Sequence, residues 1–119
     1  MVYSEKEPIK PKPNRLLRKL PEVAQRFNQM HGTIMSSGAL SEKTKELIAV
    51  GISVAIRCQP CIQNHVSAAV KMGNSQAEIL EAISVGILMG GGPAYAYASE
   101  AIELLNSLFV DKKEESYKE

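Results

Sequence analysis

Apolar residues recur at intervals of three and four along most of the chain, a spacing that predicts helices, and no stretch reads as a strand. Pro21 can occupy the first turn of a helix running toward Met35, with Val23, Phe27, Met30 and Ile34 as its apolar stripe. Ser36, Ser37 and Gly38 end it. Ser41 is placed to cap a second helix, with Glu42 in its first turn, that extends through about Arg57; Leu47, Ile48, Ile52, Ala55 and Ile56 are expected to face inward. This helix is apolar over much of its circumference, which predicts contact on more than one side and therefore a homo-oligomer.

Pro60 disfavours a helical conformation at Gln59, so the second helix should stop near Cys58 and a third begin with Pro60 at its first position. The third runs through Val66, Ala69 and Val70 to Met72, where Gly73 supplies a left-handed terminator. Ser75 and Glu78 form a capping-box pattern for a fourth helix carrying Ile79, Ala82, Ile83 and Leu88. Gly90, Gly91, Gly92 and Pro93 break it, and a fifth helix runs from Pro93 to about Phe109. The expected fold is all-α: a single-domain bundle of about five helices over 19–110, between a basic, proline-containing arm over 1–18 and a polar, frayed tail over 111–119.

At 119 residues, with 45% hydrophobic residues and a net charge of +1, the chain has enough apolar material for one core. No apolar run reaches the roughly 20 residues that cross a bilayer, and the start lacks the apolar stretch of a secretion signal, so a cytoplasmic protein with no membrane partner is expected. Residues 1–19 carry six cations against two carboxylates, a net +4. No aromatics interleave with those cations, so the arm reads as solvated, and a nucleic-acid partner is not expected.

The two cysteines lie three positions apart and cannot staple distant segments, which points to chemistry at them. In a helix starting near Pro60, Cys61 falls in the first turn, where unpaired amides and the helix dipole stabilise a thiolate and lower its pKa. His65 follows four residues later on the same face, placed to accept the thiol proton. Cys58 can approach Cys61 to form a disulfide, so that one sulfur is oxidised and the other resolves it. Glu46 lies twelve residues before Cys58; a straight helix would separate the two by about 18 Å, but a turn at 57–60 would fold the third helix back and let Glu46 orient His65.

Glutamate, eleven residues, Cys, two residues, Cys, three residues, His stands here as Glu46, Cys58, Cys61 and His65, and this pattern resembles the active site of alkylhydroperoxidase D-like proteins of the carboxymuconolactone decarboxylase superfamily. The resemblance extends from about Glu42 to Leu104. It implies an all-helical fold, a homo-oligomer (trimer or hexamer), and peroxidase or disulfide-reductase activity through the cysteine pair in antioxidant defence. It implies further a hydroperoxide or small disulfide as substrate, an external dithiol (thioredoxin-like or lipoyl) as reductant, and no cofactor. The better-known peroxidase members have a histidine just before the second cysteine, where this chain has Pro60, so one arm of that proton relay is missing. The decarboxylase branch typically lacks the cysteine pair, so lactone decarboxylation is not implied.

Two other readings compete for the same residues. Two Cys, one His and one Glu could furnish four zinc ligands, giving a metal-binding or redox-sensing oligomer without turnover. An incidental buried pair is the blander one, since free cysteine packs as a small hydrophobe. His31 reads as a surface residue, the glycines at 90–92 as a helix break with no phosphate-loop lysine after them, and Tyr95 and Tyr97 as residues on opposite sides of the last helix.

Overall fold

The computed structural model describes residues 13–117, with side chains described over 15–109. Within that range there are six helices and no strand: α1 (Pro13–Lys19), α2 (Pro21–Met35), α3 (Glu42–Ala55), α4 (Gln59–Lys71), α5 (Gln76–Gly90) and α6 (Gly92–Tyr117). The sequence pattern predicted five. The additional helix, α1, lies in the expected basic arm, because a proline is tolerated in a first turn and so Pro13, like Pro21, opens a helix. Residues 1–12 of that arm lie outside the described residues. At the other end α6 continues past Phe109 to Tyr117, since the lysines and glutamates of the expected tail are good helix formers despite their polarity. Residues 118 and 119 are not described.

The helices fall into two compact units, divided between Ser36 and Ser37. The first holds α1 and α2. Its predicted stripe exists and faces solvent: Val23, Phe27, Met30 and Ile34 are each at least half exposed, and Ala24 is the buried residue of α2.

The second unit packs α3 to α6 around one core. Val50 and Val54 from α3 meet Ile62, Val66, Ala69 and Val70 from α4, Ile79 and Ile83 from α5, and Ala94, Ala98, Ala101 and Leu105 from α6. The three alanines of α6, at intervals of four and three, present a low ridge over which neighbouring helices can approach closely. α3 and α5 also cross at close range, and a Cβ at Gly86 would strike the carbonyl oxygen of Gly51. Glycine there is a requirement of the crossing.

The helix starts follow the sequence. Ser41 Oγ accepts from the Thr44 amide at the head of α3, and at the head of α5 Ser75 Oγ accepts from the Glu78 amide while the Glu78 carboxylate accepts from the Ser75 amide at 2.8 Å. That backbone hydrogen bond, joined by the one from the Ser75 side chain, holds the Glu78 carboxyl below its ordinary range. A depressed carboxyl pKa contributes stability above the unfolded-state value and loses it as pH falls through the folded value. Denaturant titrations of Glu78→Gln and wild type should therefore differ at neutral pH and converge in acid.

One sequence expectation is overturned on α3. Ile48, Ile52 and Ile56 do not face inward; they are 45%, 54% and 60% exposed, whereas Glu46, Val50, Ser53 and Val54 are buried. Glu46, Val50 and Val54 are spaced by four, so they share the side of the helix that meets the core. Hydrophobicity alone turns a carboxylate outward. Here a partner across the core reverses that preference. The helix also ends at Ala55, short of Arg57, and α4 begins at Gln59, which puts Pro60 at its second position.

Candidate functional site

Cys58 is the cap of α4: its backbone is extended, and its Sγ accepts the Cys61 amide at 3.2 Å. Its own amide is held by the end of α3, donating to the carbonyl of Ser53 at 3.1 Å. The first cysteine is thus pinned between two helices. Cys61 lies in the first turn of α4, with its Cα 5.2 Å from that of Cys58, and the two sulfurs are joined as a disulfide. Both residues are half-buried.

The sequence assigned the help of the helix end to Cys61. The structure directs that amide at Cys58 instead, because the chain turns at 56–58 and leaves Cys58, not Gln59 or Pro60, at the cap. The Cys58 sulfur thus occupies the place where a helix N-terminus favours negative charge.

α4 folds back along α3, as the turn allows, and His65 Nδ1 lies 2.8 Å from Glu46 Oε2. Glu46 is 4% exposed. A carboxylate taken that far from water requires a partner, and the imidazole supplies one. An ionised carboxylate can only accept, so against an ionised Glu46 the imidazole Nδ1 is the donor of this contact. His65 keeps about a fifth of its side-chain surface open to solvent. It stands one turn after Cys61 on the same face of α4.

The four residues singled out from the sequence are brought together in two pairs, Cys58 with Cys61 and Glu46 with His65, and the pairs are linked by the single helical turn from Cys61 to His65. Among the described residues no three His, Cys, Asp or Glu side chains are disposed to hold a metal ion. The two sulfurs bond each other, and Glu46 turns to His65. Sequence reasoning missed Arg57, which adopts a positive φ of 59° immediately before Cys58. The signal was present in that a helix ends there without the glycine that usually ends one.

A groove of about 420 Å³ runs between α3 and α5, lined among others by Leu47, Ile48, Ile52, Ala82, Val85 and Met89. None of the four site residues borders it. No helix among the described residues is long and apolar enough to cross a membrane.

Residues 21–104 match the model of the carboxymuconolactone decarboxylase family. A Paracoccus denitrificans protein known as uncharacterized protein 4 of the cox locus is 37% identical over 82 residues, which covers 69% of this chain and 74% of that one. Among solved structures, a carboxymuconolactone decarboxylase family protein from Legionella pneumophila superposes with a TM-score of 0.74 at 36% identity, covering 79% of this chain and 84% of its own. A second member, from Thermotoga maritima and described as a candidate in antioxidative response, superposes with a TM-score of 0.72 at 31% identity over 76% of this chain and 93% of its own. With the helical fold, the extent of the match and these relatives in agreement, the chain belongs to the carboxymuconolactone decarboxylase family.

Proposed function

We propose that the protein is a thiol-dependent oxidoreductase, a peroxidase or disulfide reductase serving antioxidant defence, in which Cys61 attacks, Cys58 resolves, and Glu46 with His65 manages the proton. The observation that carries this reading is a bonded Cys58–Cys61 pair whose second cysteine lies one helical turn before a His65 held 2.8 Å from the buried Glu46. His65 Nε2 takes the Cys61 proton, and Glu46 stabilises the positive charge the ring gains. The Cys61 thiolate then attacks the terminal oxygen of a hydroperoxide. The O–O bond breaks, an S–OH forms and the alcohol leaves. Cys58 attacks that sulfur, expels water after protonation and forms the disulfide, so that the peroxide receives two electrons from the pair. With a disulfide substrate the first product is a mixed disulfide instead. An external dithiol, thioredoxin-like or lipoyl, returns the two electrons, and a thiolate leaving from Cys58 is stabilised by the Cys61 amide. The candidate antioxidative role of the Thermotoga maritima relative points the same way. Mild peroxide treatment of the reduced protein should remove two hydrogens within one chain, reversibly with dithiol, by intact mass; only intermolecular bridges, or no oxidation, would reject the reading.

The same reading includes a homo-oligomer, trimeric or hexameric, with a second copy covering the α3–α5 face. Ile52, Val85 and Met89 are between 54% and 74% exposed there, more aliphatic surface than an isolated small protein leaves open in one place. Most of the groove's lining residues are apolar, as at the surfaces that subunit interfaces bury. Light scattering at micromolar concentration should find an oligomer, and Ile52→Lys should dissociate it. A wild-type monomer would contradict this.

A further inference from the structure

Among the described residues Arg57 is the one residue other than glycine with a positive φ. It closes α3 through a pair of backbone hydrogen bonds, from its own amide to the Val54 carbonyl and from the Cys58 amide to the Ser53 carbonyl, both at 3.1 Å. α4 closes in the same way, from Gly73 to Val70 at 3.0 Å and from Asn74 to Ala69 at 3.1 Å, and there the left-handed residue is glycine, with φ 91°. A side chain in that conformation carries a steric cost that glycine avoids. Closing the helix does not explain an arginine, since the same turn is made without one after α4. The helix dipole does not require one at this position either, because α4 is served by Lys71 inside its last turn, at no backbone cost.

The charge around the cysteines points to what the arginine does. From Leu47 to Ala77 the chain contains no Asp or Glu, and its only Lys or Arg residues are Arg57 and Lys71. Arg57 is exposed and forms no ion pair with a described carboxylate. Glu46, the nearest acid before this stretch, is buried against His65. The other polar neighbours of the pair on α4, Gln59, Gln63 and Asn64, are neutral. An arginine with no ion pair to a described carboxylate is therefore adjacent in sequence to Cys58, and the polar residues that flank the pair on α4 are neutral.

We infer that Arg57 is a specificity-determining residue, which directs small carboxylate-bearing disulfides to the Cys58–Cys61 pair. This rests on the reading of that pair as the exchanging thiols. A cysteine thiolate attacks the substrate disulfide and forms a mixed disulfide, and one carboxylate-bearing thiolate leaves. The second cysteine attacks the protein sulfur, the second thiolate leaves, and the two electrons lost by the dithiol reduce one substrate disulfide to two thiols. Arg57 interacts with the carboxylate during approach and does not touch the sulfurs that react.

The test uses two aromatic disulfides that report release of their thiols, dithiobis(nitrobenzoate), which is anionic, and dithiodipyridine, which is neutral. Second-order rates are measured on the reduced full-length protein for wild type, Arg57→Lys and Arg57→Gly. The glycine variant restores the residue found at the end of α4 and relieves the backbone, so it is expected to fold. Its ratio of anionic to neutral rates should fall roughly fivefold, the weight of one charge contact at an exposed site. Arg57→Lys should recover most of the ratio, and salt near 1 M should compress the difference between wild type and Arg57→Gly. A change in thiolate population alone would move both rates together and leave the ratio fixed, and that result would overturn the inference while leaving the exchanging pair intact. Failure of either reagent to oxidise the wild-type pair would remove the underlying reading, and the inference with it.

Discussion

Replacing His65 with Gln should lower turnover by about 10²–10⁴-fold, the usual worth of a positioned general base, while leaving the helical circular dichroism unchanged. Glutamine retains a donor for the buried Glu46 carboxylate, whereas alanine would strand it and confuse a catalytic loss with a stability loss. Glu46→Gln keeps the shape and a hydrogen bond but removes the charge that supports the protonated ring, so it should raise the pH at which Cys61 becomes a thiolate. Its effect should shrink as pH rises, because hydroxide can then deprotonate the thiol without the relay. Alkylation rate against pH separates the cases: if the Glu46→Gln and wild-type curves superimpose, Glu46 positions His65 for folding alone.

The two cysteine substitutions should fail differently. Cys61→Ser should abolish turnover, because it removes the sulfur that attacks. Cys58→Ser should permit the first oxidation and block the next step, leaving a mixed disulfide or an S–OH that mass spectrometry can detect. The serine also keeps an oxygen where the cap needs an acceptor for the Cys61 amide, so α4 should still start in place. If Cys58→Ser is the fully inactive variant and Cys61→Ser is the one that accumulates an adduct, the roles are reversed, with the sulfur at the cap as the attacking one.

The parts of the fold and of the site that lie close together in sequence were legible in it. Cys61 to His65 is one helical turn, Ser75 with Glu78 is a local cap, and Gly73 ends a helix through its own backbone. What resisted was which face of a helix turns inward and where each helix begins and ends. The pairing of Glu46 with His65 was legible through the turn at 57–60, yet the inner face of α3 was still assigned to Leu47, Ile48, Ile52, Ala55 and Ile56, of which the three isoleucines are exposed, because hydrophobicity by itself gives a carboxylate no reason to be buried. The amide on Cys58 was missed for a related reason, since the cap position depends on how α3 ends at Arg57. Polarity misled at the C-terminal end, where α6 continues through residues that favour helices whether or not they touch a core.

The most direct test of the central claim follows oxidation of a dithiol, held in excess, with a hydroperoxide and then a small disulfide as electron acceptor. Many turnovers per chain are expected with at least one acceptor, with one dithiol oxidised per acceptor molecule reduced and that activity lost in Cys61→Ser. Consumption that never rises above the Cys61→Ser background with either acceptor would contradict it.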